Sequence, residues 1–200
     1  CDAVVFNQQD PGSLTERFVQ GARELFRRYD DRIVVLDSRH YGDRFENVYR
    51  KTNAVEAALL NGQDVRPDDV VDLDDARRYG VALQRRSGKP VFITRGRRGM
   101  LVFESDEMHE IPGIQLLGRL DPVGAGDTST SALTLALGAG ASPAEAAQLA
   151  NFGAAVTVQK LFRTGTAAPS EILDVAEAPD YIYQPELAED ARRATFYDDT

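Results

Sequence analysis

Thiols are almost absent from this chain: Cys1, its first residue, is the only cysteine. One thiol builds no internal disulfide framework, which fits the reducing cytoplasm. No apolar run approaches the roughly 18–20 residues of a membrane span. No charged-then-apolar leader precedes a small-residue cleavage site. Positive charge is also short, because 23 Lys and Arg stand against 32 Asp and Glu for a formal net charge of -9. Nucleic acid and anionic membranes both need a basic footprint, so neither is an expected partner. Phosphate ligands are not excluded, since a few backbone N–H groups and one cation bind them locally. Two nucleotide motifs are missing as well. Gly88-Lys89 is followed by Pro90, with no glycine at position 83, so there is no G-x-x-x-x-G-K-[ST] loop. Ser129 occupies the third glycine's place of a G-x-G-x-x-G motif begun at Gly124. No internal repeat or low-complexity stretch is evident.

What is present suits one globular domain. The chain has 200 residues, 42% of them hydrophobic and 28% charged, enough for one α/β core and too few for two comfortable ones. Ala3 to Phe6 reads as a strand buried on both faces, Ser13 as an N-cap, and Phe18, Ala22, Leu25 and Phe26 as a helix face running through Arg28. Further strands are expected at Ile33 to Leu36, Val48 to Arg50 and Pro90 to Thr94. A hairpin joins Met100–Glu104 to Glu107–Ile111 around Ser105-Asp106. Helices are expected over Ala54 to Leu60, from Asp68 to about Arg86, and from Gly126 to about Leu137. Ser142 with Glu145 forms a capping-box pattern for a last long helix, ending near Lys160. Strands alternating with helices indicate a doubly wound, mostly parallel sheet, which binds ligands beyond its strands' carboxyl ends. The sequence starts within a strand pattern without methionine and ends at Tyr197-Asp198-Asp199-Thr200, so a segment of a longer chain is expected. Residues 1–178 form the expected domain, and 179–200 an acidic tail.

Three segments carry chemistry. Gly124-Ala125-Gly126-Asp127 opens an Ala/Leu helix, where small residues admit a ligand and unpaired first-turn N–H groups form an anion site. A carboxylate beside an anion hole is what phosphoryl transfer to an alcohol needs: the base takes the proton while N–H groups stabilise the transferring group. The plain alternative is a helix N-cap. Lys51-Thr52-Asn53-Ala54-Val55-Glu56 puts a lysine, an amide and a carboxylate at a helix start, where Asn53 and Glu56 share a face suited to hydrated Mg²⁺ and a phosphate. The alternative is a surface cap. Thr94-Arg95-Gly96-Arg97-Arg98-Gly99 follows a strand as a donor-rich turn suited to phosphates or ribose. The alternative is a hairpin with solvated arginines. His40 and His109 lack partners for metal or triad chemistry.

In this order and spacing the segments resemble the ribokinase-like (PfkB) carbohydrate kinase family. The family's D-T-x-G-A-G-D signature is matched by Asp121-Pro122-Val123-Gly124-Ala125-Gly126-Asp127, its N-x-x-E by Asn53 to Glu56, and its T-x-G turn by Thr94 to Gly96. The resemblance implies a ribokinase-like fold and an ATP-dependent, Mg²⁺-requiring kinase. It makes Asp127 the base and the Gly124, Ala125 and Gly126 N–H groups the anion hole. Lys51, Asn53, Thr94, Gly96, Gly99 and Asn151 then bind the nucleotide, and Glu56, Asn53 and Asp121 serve the metal. Asn151 has helix packing as its alternative. Pro122 replaces the signature's threonine, which removes a hydroxyl from any monovalent-cation site; Asp121 remains. Lys51 is similar to a lysine of the family members whose substrates are sugar phosphates, and Asp37 after Val34-Val35-Leu36 and Gly165-Thr166 resemble the heptose-7-phosphate kinase subgroup. The family's N-terminal half, with its lid sheet, most sugar contacts and pairing surface for a homodimer, has no counterpart here, so this segment alone is expected to be weak or inactive.

The leading expectation is therefore phosphorylation of a hydroxyl on a sugar or sugar phosphate. A nucleoside or vitamin-precursor kinase of the same fold is one alternative. A noncatalytic nucleotide- or sugar-sensing module is the other, and it has no need of a base such as Asp127.

Overall fold

The computed structural model describes residues 1–9, 14–105, 107–116, 119–163 and 165–177. Ser13, Asp106, the last residue of the expected domain (178) and the expected tail 179–200 lie outside them. Short apolar runs, rich in Val, Ile and Phe, supply four of the six strands. β1 (Ala3–Gln8), β2 (Ile33–Ser38), β3 (Tyr49–Asn53), β4 (Val91–Thr94), β5 (Met100–Glu104) and β6 (Glu107–Ile111) lie side by side in that order. β1 to β4 are parallel, and β5 and β6 return antiparallel as the expected hairpin.

Alternation along each strand decides which helices cover which face. Val35, Phe92, Met100 and Val102 pack with Leu133, Ala136 and Ala147, which belong to α4 (Ala125–Gly138) and α5 (Pro143–Val158). Val34 and Leu36 point the other way, onto Val19 and Phe26 of α1 (Glu16–Arg28). On that same face Val91, Ile93, Leu101 and Phe103 meet α2 (Ala54–Leu60) and α3 (Leu73–Ser87) through Ala57, Ala76 and Leu83. The result is the expected mostly parallel α/β sheet with helices on both faces. Each fully buried Val, Leu, Ile or Phe contributes about 1.5–3 kcal/mol. α6 (Pro169–Glu177) follows, tied back by an ion pair of 2.7 Å between Lys160 and Glu171. No helix among the described residues is long and apolar enough to cross a membrane.

Several local expectations are corrected. β1 is an edge strand paired only with β2, so Val4 and Val5 remain 38% and 42% exposed instead of buried on both faces. Thr15 caps α1, its Oγ1 accepting from Phe18 N at 3.2 Å. The buried stripe of α1 is Val19, Ala22 and Phe26, whereas Phe18 and Leu25 are exposed. β3 runs two residues or more further than expected, which draws Lys51 into the sheet. α3 starts after Asp72, whose side chain accepts from Asp75 N, and Val70 stays outside it, exposed. The capping box at Ser142 and Glu145 forms as expected.

Candidate active site

The parallel strands bring residues from distant parts of the sequence into one row. Asn7 on β1 pairs in register with Asp37 on β2, and Asp37 with Lys51 on β3. Next along the carboxyl ends, Asn53 pairs with Thr94. α4 begins over this row. Gly124, its N-cap, has φ +81°, a left-handed conformation that a side chain would strain.

Asp127 lies exposed in the first turn of α4, and Asn7 Nδ2 donates to its Oδ1 at 3.1 Å. Sequence reading missed Asn7. The available signal was a neutral amide ending an apolar strand at the sheet's ligand-binding edge. The expected anion hole is altered in one donor. Ala125 N–H is turned onto Pro122 O at 3.2 Å, closing the turn. The Gly126 N–H, next in the helix, has no acceptor among the described residues and stays available for an anion.

Lys51 is engaged in an ion pair. Its ammonium lies 2.7 Å from Asp37 Oδ2, and the two side chains are only 8% and 7% exposed. Thr130 Oγ1 reaches the same Asp37 oxygen at 2.8 Å and Gly126 O at 2.9 Å. A Cβ placed on Gly126 would come within 3.4 Å of Lys51 Nζ. The lysine thus lies directly beneath the glycine turn as half of a buried ion pair.

A cavity of about 460 Å³ opens beside that turn, a ligand-sized volume. It collects Asn53, Thr94, Gly96, Gly99, Ala125, Gly126 and Asn151 from the sequence expectations. Ile114, Leu116, Leu120 and Val158 supply apolar wall, and Arg97, Gln115 and Ser129 add polar groups. Asn151 lines the cavity, and its Nδ2 donates to Pro112 O at 3.0 Å. Gly99 is required by the fold itself: its φ is +87°, and a Cβ there would fall 2.1 Å from Ile111 O. Lys51, Gly124, Glu56, Asp121 and Asp127 are not among the lining residues.

The metal expectations divide. Asn53 and Glu56 form a reciprocal capping box, with Glu56 N to Asn53 Oδ1 at 2.8 Å and Asn53 N to Glu56 Oε2 at 3.0 Å. Asn53 is thus the last residue of β3 and a cap, not a member of the helical face. Thr52 Oγ1 donates to the same Glu56 oxygen at 3.0 Å, which leaves Oε1 as the carboxylate's open atom. Asp121 is engaged at both oxygens: Val123 N donates to Oδ1 and Phe162 N to Oδ2, each at 3.0 Å. With Asp121 N bonded to Val158 O, this residue clamps the loop to the end of α5. No group of three or more His, Cys, Asp or Glu among the described residues is placed to hold a metal. The donor set therefore fits magnesium held through water and phosphate, in which one or two carboxylates suffice. His109 pairs with Glu107 at 3.6 Å, and neither it nor His40 lines the cavity.

Residues 48–171 match the family model described as pfkB family carbohydrate kinase. The chain belongs to the pfkB carbohydrate kinase family. All three sequence segments fall within the matched span, whereas Asn7 precedes it. A curated relative from Caulobacter sp. (strain K31), the bifunctional protein HldE, is 42% identical over 182 residues, covering 88% of this chain and 35% of its own length. The protein of that name from Desulfatibacillum aliphaticivorans is 27% identical over 94% of this chain and 37% of its own length. This pfkB chain thus spans little more than a third of those relatives. Among solved structures, Arabidopsis thaliana ribokinase complexed with ribose and ATP superposes with a TM-score of 0.70 at 18% identity. That match covers 88% of this chain and 56% of the ribokinase, and shows the fold as ribokinase-like.

Proposed function

We propose that the protein containing this chain transfers the γ-phosphoryl group of ATP to a hydroxyl of a sugar or sugar phosphate, with Asp127 as the base. The carrying observation is an exposed carboxylate in the first turn of α4, hydrogen-bonded by Asn7 and following directly on cavity-lining Gly126. Asn7 occupies Oδ1, which leaves Oδ2 to accept the hydroxyl proton. The alcohol oxygen then attacks the γ-phosphorus in line as ADP departs, and charge on the transferring oxygens falls toward the Gly126 N–H. Positioning and electrostatics carry such a reaction, since little covalent chemistry is left to the protein. Magnesium would be held by Glu56 through water and by the phosphates, and supplies charge neutralisation. Asn53, Thr94 and Gly96 line the nucleotide's path, and Asn151 orders the far wall. ATP as donor goes with a cytoplasmic location.

The finer reading of the acceptor is a heptose 7-phosphate. It is supported by the likeness of Asp37 and Gly165-Thr166 to that subgroup, by the likeness of Lys51 to a lysine of sugar-phosphate kinases, and by relatives that share one printed name. In this reading Lys51 acts from beneath the turn, as part of the Asp37 pair, and not as a direct phosphate ligand. The test is Asp127→Asn in the complete protein. Turnover should fall about 10²–10⁴-fold, the usual worth of a positioned base, with ATP affinity nearly intact. Unchanged turnover removes Asp127 from the role, and tight nucleotide binding without transfer in the unaltered protein would favour a noncatalytic module.

A further inference from the structure

Gln115 follows β6 in a loop that lines the cavity, and it is one of the polar residues there that the phosphoryl-transfer reading leaves unused. It is only 9% exposed, and it lines the cavity together with its chain neighbours Ile114 and Leu116. Its Nε2 is buried with no hydrogen-bond partner among the described residues. A buried amide donor without an acceptor carries the full cost of its desolvation, so such groups are rare unless a ligand completes them. The surroundings say what kind of ligand. A triphosphate calls for cations and N–H groups, such as the Gly126 N–H on another part of the same lining. A neutral amide between aliphatic side chains suits a flat ring with a polar edge.

We propose that Gln115 reads the base of the bound nucleotide and selects adenine, an inference that rests on this cavity being the ATP site. A glutamine amide offers a donor and an acceptor side by side. Adenine answers with N7 as acceptor and N6–H₂ as donor, whereas guanine presents two acceptors, N7 and O6, on that edge. The terminal amide torsion is soft and roughly two-fold, so turning Nε2 toward the cavity needs no change of backbone. Gln115 is thus a specificity residue, separate from the base and the anion site.

Calorimetric titration of the complete protein with ATP, GTP and 7-deaza-ATP, whose N7 is a C–H, tests this without any turnover. The unaltered protein should bind ATP at least about 5-fold tighter than either analogue, the low end for a paired base edge. Gln115→Met, of similar volume, should bind all three alike while keeping its circular dichroism spectrum. Equal binding of ATP and 7-deaza-ATP by the unaltered protein overturns the inference, and so does a preference that survives in Gln115→Met. The 7-deaza-ATP comparison needs no variant and stands even if the substitution impairs folding. Failure of every nucleotide to bind would overturn the ATP-site reading too, whereas binding without base preference overturns only the role of Gln115.

Discussion

Asn7 and Asp127 are 120 positions apart and meet in one hydrogen bond, and the buried Asp37, Lys51 and Thr130 lie in the layer beneath. Burial makes this lower layer sensitive to being halved. Removing one member of a buried ion pair strands the other charge, at a cost of about 3–5 kcal/mol, whereas removing both together is far milder. Lys51→Met should therefore lower urea-unfolding stability by about that amount. Asp37→Asn combined with Lys51→Met should recover much of it, with Thr130 still hydrogen-bonded to residue 37. A Lys51→Met protein as stable as the original would show that the pair is not closed in solution. Arg50, the neighbour of Lys51, is a second buried cation on the opposite face. Burial is the main cause that pushes its pKa down to about 10, with the charge of Arg86 adding to it. Carbonyl oxygens of Gly42 and Phe45 receive its guanidinium.

Elements are held to the sheet by contacts that small residues permit. Gly80, in the middle of α3, faces Phe103 of β5 so closely that a Cβ would fall 2.1 Å from the ring. Helix propensity alone favours Gly80→Ala by about 1 kcal/mol. Overpacking opposes it, costing about 1–3 kcal/mol or more when an aromatic ring must move. The clash should win, and thermal unfolding of Gly80→Ala should occur at lower temperature than in the original; a higher midpoint would mean that α3 rides further from β5. The sequence pattern located α3 but began it at Asp68 instead of after Asp72, because Val70 imitates an apolar helical position while remaining in the loop. It likewise located β3 but stopped it early. Arg50, Lys51 and Thr52 are polar, yet they are buried within the strand, where register and specific partners override polarity.

For the whole molecule, acid is the instructive perturbation. Glu171 is held below its ordinary value of 4.5 chiefly by the hydrogen bond from Lys160, then by Ala168 N–H, and this fastens the segment after α5. Glu145 is depressed by the Ser142 N–H and then by its hydroxyl, at the start of α5. A carboxyl whose folded pKa lies below its unfolded one adds stability that is complete above the unfolded value. That contribution is lost as pH falls through the folded value. Urea midpoints should therefore be level through the neutral range and fall below about pH 4.5, the unfolded glutamate range. Glu145→Gln with Glu171→Gln should lower the neutral midpoint and flatten the acid limb; an unchanged acid limb would assign it to other carboxylates.

The three family-matching segments were legible because their signals are local. A glycine turn opening a helix, an N-x-x-E cap and a T-x-G turn are short motifs whose backbone geometry neighbouring residues dictate, and their order pointed to one family. The α/β architecture was legible for a related reason, since strand and helix periods are set within a dozen residues. What each side chain does once delivered was not legible. Asp121 became a clamp and Lys51 a buried partner of Asp37. Asn7 became a hydrogen-bond donor to Asp127, and Gln115 a buried residue of the cavity lining. Those outcomes depend on which strand lies next to which and on how closely α4 and α5 approach. Pairing across 120 residues leaves no periodic trace in a single sequence, so only the folded chain decides it.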